Sequence, residues 1–179
     1  MENEQVTAYV GLGSNLGDRA GNLLLAVRGL VEASFQLTKL SAVYETEPVG
    51  VDVESEPFLN MVAEIRATGI SPSQMLARML RIEYLLGRTE KSMNKPRTID
   101  LDLLFYEEER RESAFLTLPH PRAHERRFVL VPMNEVCPTY RHPVFDKDIG
   151  TLLAECEDRS RVARWYPFER DELHISLNG

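Results

Sequence analysis

Cysteine and tryptophan are nearly absent from this chain, which has two cysteines, Cys137 and Cys156, and one tryptophan, Trp165, among 179 residues. Two thiols with neither Cys-x-x-Cys nor metal-ligand spacing exclude a disulfide scaffold, a zinc module and a dithiol redox centre, and they read as reduced thiols of a cytoplasmic protein. Long apolar runs are missing too. Leu-Leu-Leu-Ala-Val at 23–27 and Phe-Val-Leu-Val at 128–131 fall far short of the roughly 20 residues a bilayer-crossing helix needs, so no membrane partner is expected. The opening Met-Glu-Asn-Glu-Gln is acidic and polar and does not read as a secretory leader. Positive charge is in deficit: 21 Lys and Arg against 28 Asp and Glu leave a formal charge of −7, which argues against a nucleic-acid partner. No glycine is followed by lysine, so a phosphate-cradling P-loop is excluded.

What remains is an ordinary globular composition, 43% apolar and 27% charged, long enough for one domain with a proper core. Residues 5–10 read as a buried strand, followed by a glycine-rich turn and a helix from the Asp18 cap to about 33, with Leu23, Leu24, Val27, Leu30 and Val31 at helical spacing. An alternating strand follows at 36–46 and another at 58–68. Ser71, Pro72 and Gln74 open a helix that runs through Leu86 and stops at Gly87. Residues 98–106 alternate as a strand, 115–120 are extended, and 128–136 and 149–156 read as short helices. The order β-α-β-β-α-β predicts an α+β, ferredoxin-like fold, an antiparallel sheet with helices on one face.

The cluster Gly11, Gly13, Gly17 resembles a dinucleotide turn, but its Gly-x-Gly-x-x-x-Gly spacing is one residue too long. The fold pattern also supplies no parallel second strand. It is expected to act as a tight turn. "PRTIDLDLLFY" (96–106) carries more. On a strand, Asp100 and Asp102 share a face about 7 Å apart, with Ile99, Leu101, Leu103 and Phe105 on the core side. Paired carboxylates beside Arg88 and Arg97 suit Mg²⁺ and a polyphosphate, since Mg²⁺ takes one or two carboxylates and bridges to phosphates. "PHPRAHERRF" (119–128) adds His120, Arg122, His124 and Arg126. A metal role for its histidines is open, although hydrogen bonding to phosphate or ribose fits the arginine company better. Cations concentrated at 88–97 and 122–127 in an acidic protein point to a small anionic ligand.

"GLGSNLGDR", "YETEPVG", "PFLNMV", "RIEYLLGR", "PRTIDLDLLF" and "PHPRAHERRFVLVPMNEV", in this order from about residue 6 to 155, resemble the 6-hydroxymethyl-7,8-dihydropterin pyrophosphokinase family of folate biosynthesis. The resemblance implies a ferredoxin-like domain over 1–160, acting as a monomer, and a C-terminal extension of unassigned role at 161–179. It implies transfer of pyrophosphate from ATP to a pterin alcohol, with release of AMP and two Mg²⁺ ions on Asp100 and Asp102. It places Arg88 and Arg97 against the triphosphate as the catalytic cations, and His120, Arg126, Thr117, Lys91 and Arg122 at the nucleotide. Thr46, Val49 and Asn60 would meet the pterin edge, with Phe58 and Phe128 on its two faces. Residues 88–97 would form a lid, in which Asn94-Lys95 stands where the family commonly has Trp-Gly. Two alternatives predict different outcomes. A Mg²⁺-dependent nucleotidyltransferase would release pyrophosphate, and a non-catalytic ferredoxin-like binding module would turn over no ATP.

Overall fold

The computed structural model describes residues 5–47, 56–87 and 98–167. The elements in chain order are β1 (Gln5–Ser14), α1 (Arg19–Glu32), β2 (Gln36–Leu40), β3 (Tyr44–Thr46), β4 (Phe58–Thr68), α2 (Pro72–Leu85), β5 (Asp100–Tyr106), β6 (Arg111–Glu112), β7 (Thr117–Leu118), α3 (Arg127–Val136), α4 (Ile149–Glu155) and β8 (Val162–Arg164). The main sheet runs β5-β1-β4-β3-β8, with β2 also on β4, and every pairing is antiparallel. Strands β1, β4 and β5, with β2 and β3 together in the second strand position, and helices α1 and α2 reproduce the ferredoxin-like pattern. The predicted strand at 36–46 is two strands along one edge of β4. They are separated at Ser41, whose hydroxyl accepts from the Val62 amide at 2.9 Å in place of a ladder partner.

Alternation along β1 sends Ala8, Val10 and Leu12 to one side, where Leu23, Ala26 and Leu30 of α1 and Met75, Met79 and Ile82 of α2 complete the core. The other side, which the predicted pattern leaves bare, is covered as well. Tyr9, Val62, Leu104 and Phe105 pack under Val129, Leu130 and Met133 of α3 and Ile149 and Leu152 of α4. The reason is visible in β5. The β1–β5 register shifts between Tyr9 and Val10, pairing Val10 with Leu103 and Tyr9 with Phe105. Leu104 is therefore an extra, bulged residue that reverses the facing of the residues after it. Phe105, expected beside Leu101 and Leu103, lies on the opposite face and gives α3 and α4 something to cover.

The opening motif divides its labour. Gly11 and Gly13 lie inside β1, so the strand runs to Ser14 rather than 10, and the turn proper is carried by Gly17 at φ 65°. Asp18 caps α1 by accepting from the Gly21 amide at 2.9 Å. Arg19 donates to Glu45 Oε1 at 3.0 Å and to the Pro57 carbonyl at 2.6 Å, tying α1 to the ends of β3 and β4. At α2, Ser71 Oγ accepts from the Gln74 amide at 3.3 Å while Gln74 Oε1 accepts from the Ser71 amide at 2.8 Å, a capping box as the sequence predicts. Replacing Ser71 by Ala should lower stability by about 1 kcal/mol without changing the denaturant slope, as read by urea unfolding.

Candidate active site

Helices α3 and α4 cover only part of their face of the sheet. Where that cover ends, the bare strands and the N-terminus of α3 enclose a cavity of about 420 Å³. Its floor crosses three strands. Asp100 and Asp102 project from β5. Gly13 and Gly11 stand directly opposite them on β1, and Asn60 and Val62 come next on β4. Neighbouring strands lie about 4.8 Å apart, so the two glycines open a trough about 10 Å wide between the carboxylates and Asn60. A Cβ on Gly13 would come within 3.0 Å of Asn60 Oδ1, and one on Gly11 within 3.5 Å of the Leu104 side chain. What these glycines contribute is the absence of a side chain.

At the β4 end, Phe58 and Asn60 share a face, and Asn60 Nδ2 donates to the Thr46 hydroxyl at 2.7 Å with both residues buried. Phe128, at the start of α3, supplies the facing wall together with Val129. Arg126 precedes that helix, and its guanidinium carbon sits 5.5 Å from the Phe128 ring centroid in a cation–π contact. Burial is the main influence lowering the Arg126 pKa, with the Arg122 charge acting in the same direction and Asp102 and Asp100 opposing it. The aspartates and Arg126 thus feel one another across the cavity. Arg122 also lines it, exposed, with an ion pair to Glu125 at 3.8 Å.

Of the residues singled out in the sequence, Thr46, Phe58, Asn60, Asp100, Asp102, Arg122, Arg126 and Phe128 meet in this one cavity. His120 and Thr117 line the neighbouring cavity of about 440 Å³, although His120 remains electrostatically coupled to Asp100 and Arg126. The bulge accounts for the placing of His120, because its amide donates to the carbonyl of Leu104 at 2.8 Å. His124 lines that same neighbouring cavity, its ring tilted against Phe145 at 4.5 Å and edge-on to His142 at 5.9 Å. Val49, Arg88, Lys91 and Arg97, with the whole segment 88–97, lie outside the described residues.

One contributor has no motif to announce it. Glu83, buried on α2, accepts the Leu101 amide on Oε1 at 2.7 Å. Strand β5 is the edge of the sheet, and amides alternate in direction along a strand, so the residue between the two aspartates turns its N–H away from β1. Glu83 satisfies that amide and holds the strand's phase. The only sequence signal is an acidic residue inside an otherwise apolar face of a helix.

His120 Nδ1 accepts from the Arg122 amide at 3.2 Å, so the neutral ring carries its proton on Nε2, a donor suited to an anion. Burial, with the nearby Arg126 charge, pushes its pKa down to about 4 despite Asp100. His142, whose Nδ1 accepts from the amides of Val144 and Phe145, is pushed by burial and the neighbouring His124 to about 4 as well. Between that value and the ordinary 6.5 the unfolded chain binds more protons than the folded one, so stability is fully present above pH 6.5 and is lost as pH falls towards 4. Neither imidazole should titrate above pH 5 when followed by NMR, and the melting temperature should fall from pH 7 to 4.5. His142→Asn, which keeps an acceptor, should flatten that fall.

Comparison with known proteins converges on one lineage. The family model described as 7,8-dihydro-6-hydroxymethylpterin-pyrophosphokinase (HPPK) matches residues 9–138. The chain is 46% identical over 131 residues to the 2-amino-4-hydroxy-6-hydroxymethyldihydropteridine pyrophosphokinase of Bacillus subtilis, covering 73% of this chain and 77% of that protein. To the Aquifex aeolicus protein of the same name it is 36% identical over 149 residues, covering 83% and 91%. Among solved structures, wild-type Plasmodium falciparum HPPK-DHPS with pteroate superposes with a TM-score of 0.69 at 17% identity, over 87% of this chain and 45% of that one, which supports the fold. The chain spans less than half of that larger protein. With the motifs, the sheet order and the extent of these matches taken together, this chain belongs to the 7,8-dihydro-6-hydroxymethylpterin pyrophosphokinase family.

Proposed function

We propose that this chain transfers the β,γ-pyrophosphoryl group of ATP to the hydroxymethyl oxygen of 6-hydroxymethyl-7,8-dihydropterin, releasing AMP, as a step of folate biosynthesis. The observation that carries the reading is the division of a single cavity. Carboxylates on β5 stand at one end and Phe58 with the amide-bearing Asn60 on β4 at the other, and the Arg126 guanidinium and the Phe128 ring together line the wall at the start of α3. That is the polarity of a reaction joining a polyphosphate to a flat heteroaromatic alcohol.

The pterin ring would lie between Phe58 and Phe128, each face worth on the order of 1–3 kcal/mol by analogy with base stacking. Asn60 and Thr46 would meet its polar edge. Ring and triphosphate so held bring the hydroxymethyl oxygen in line with the β-phosphorus. As that oxygen bonds to phosphorus and gives up its hydroxyl proton to solvent, the bond to the α–β bridging oxygen breaks and AMP departs with it. Arg126 and the Nε2–H of neutral His120 would receive the negative charge of the phosphate chain. Arg88 and Arg97 are assigned to the same charge, Lys91 and Thr117 to the nucleotide, and segment 88–97 to the exclusion of water.

Asp100 and Asp102 fit magnesium. Their donor set is hard oxygen, and each has a side-chain-free glycine opposite it. Among the described residues no group of three or more His, Cys, Asp or Glu could hold a metal ion, so phosphate oxygens and water would have to complete the shell of any Mg²⁺ on these two carboxylates. Two ions so held would neutralise the phosphate oxygens around the reacting phosphorus.

Incubation with ATP, Mg²⁺ and the pterin alcohol should yield AMP; release of pyrophosphate would instead establish nucleotidyl transfer. Asp102→Asn should abolish Mg²⁺-dependent ATP binding in calorimetry. Arg97→Ala should lower turnover by a factor of up to about 10³ with pterin affinity little changed. Gly13→Ala, which crowds Asn60, should leave the melting temperature near wild type while weakening pterin binding about tenfold, a cost of about 1.4 kcal/mol.

A further inference from the structure

Helix α3 begins without a cap from its own neighbourhood: Arg126 occupies the N-cap position and its side chain makes no capping hydrogen bond. The acceptor comes from far along the chain. Asp158 Oδ2 accepts the Arg127 amide at 2.8 Å, and Asp158 Oδ1 accepts the Ser160 amide at 2.8 Å. Two residues earlier on each side, the Cys156 thiol donates to the Glu125 carbonyl at 3.6 Å. Asp158 itself lines the cavity, beside Arg126 and Phe128. Burial pushes its carboxyl pKa up, but the Ser160 and Arg127 amides outweigh that and hold it below the usual aspartate value. The carboxylate is charged at neutral pH and faces the positive end of the helix.

The same stretch continues into β8, which pairs with β3 in the register Thr46 to Val162 and Tyr44 to Arg164. Arg164 then donates to Glu135 of α3 at 3.0 Å, and the Trp165 amide to the Val43 carbonyl at 2.8 Å. Residues 156–165 therefore touch both walls of the aromatic end of the cavity: the α3 start that carries Phe128 and Arg126, and the strand that carries Thr46. The segment lies wholly beyond residues 9–138, the part matched by the family model.

We infer that Asp158 is a positioning residue of the active site, which, by capping α3 across the chain, sets the Arg126–Phe128 wall against the strand wall anchored by β8. This rests on the pterin reading proposed above. Its two carboxylate oxygens accept from the Arg127 and Ser160 amides. Its effect passes through the Arg127 N–H, which fixes the first helical turn and so the stacked pair of guanidinium and phenyl ring.

The experiment compares Asp158→Ala, Asp158→Asn and Arg127→Pro by steady-state kinetics. Arg127 is the first helical residue, where proline is tolerated, and Arg126 before it is already extended at φ −107°, ψ 112°. Arg127→Pro thus deletes the donor from the other side without removing the acid. Asp158→Ala should raise KM for the pterin alcohol five- to tenfold with kcat within about threefold of wild type. Asn, which retains an acceptor, should restore KM to within twofold, and Arg127→Pro should reproduce the Ala effect without adding to it in the double variant. A purely structural role would lower the melting temperature and leave KM of the folded enzyme unmoved. Unchanged KM values in Asp158→Ala overturn the inference, as does an unchanged KM in Arg127→Pro should the Ala variant fail to fold. An inactive wild type in the same assay would refute the functional reading instead. The positioning claim then stands or falls on amide exchange at residues 127–129, which must speed up in Asp158→Ala and be restored in Asp158→Asn.

Discussion

The site depends on the register of three antiparallel strands. A strand sends alternate residues to opposite faces, and pairing fixes which residues stand side by side. Here that pairing lines up Asp100, Gly13 and Asn60 across β5, β1 and β4, with Asp102, Gly11 and Val62 in the next row. A slip of one residue in β1 would replace the glycine floor with Val10 and Leu12 and turn the core outward. The hydrophobic packing of Val10 and Leu12 beneath α1 and α2 is therefore what holds the trough open on the other side. Core and cavity are two faces of one constraint.

Among the described residues, several carboxylates serve the frame rather than the cavity. Glu83 satisfies an edge amide between the two aspartates. Glu64 collects the Tyr9 and Thr38 hydroxyls and the Lys39 ammonium beneath the α3 layer. Glu135 accepts from the Ala42 amide, the Tyr44 hydroxyl and Arg164. Each lies where an element would otherwise present an unsatisfied polar group to a neighbour, and leaving such a group buried costs more than the bond itself returns.

The strand–helix order, both helix starts and the shared facing of Asp100 and Asp102 are legible in the sequence, because capping chemistry and period-two alternation are local signals. The facing of Phe105 is not. A bulge arises from how two strands meet, and nothing within residues 100–106 marks Leu104 as the extra one. The glycines read as conformational devices in the sequence, although only Gly17 of the three adopts a positive φ. Gly11 and Gly13 matter for what stands opposite them, which only pairing reveals. Glu83 and Asp158 escape sequence reasoning on the same ground, since their partners lie on other elements and neither belongs to a pattern with a fixed spacing.

Because Leu104 interrupts the ladder, the two halves of β5 answer to different masters. The half bearing the carboxylates is phased by Glu83 and the glycine pair, whereas the half beyond it is phased by the aromatic layer under α3 and α4. Length changes in the segment after β5 are thereby insulated from Asp100 and Asp102.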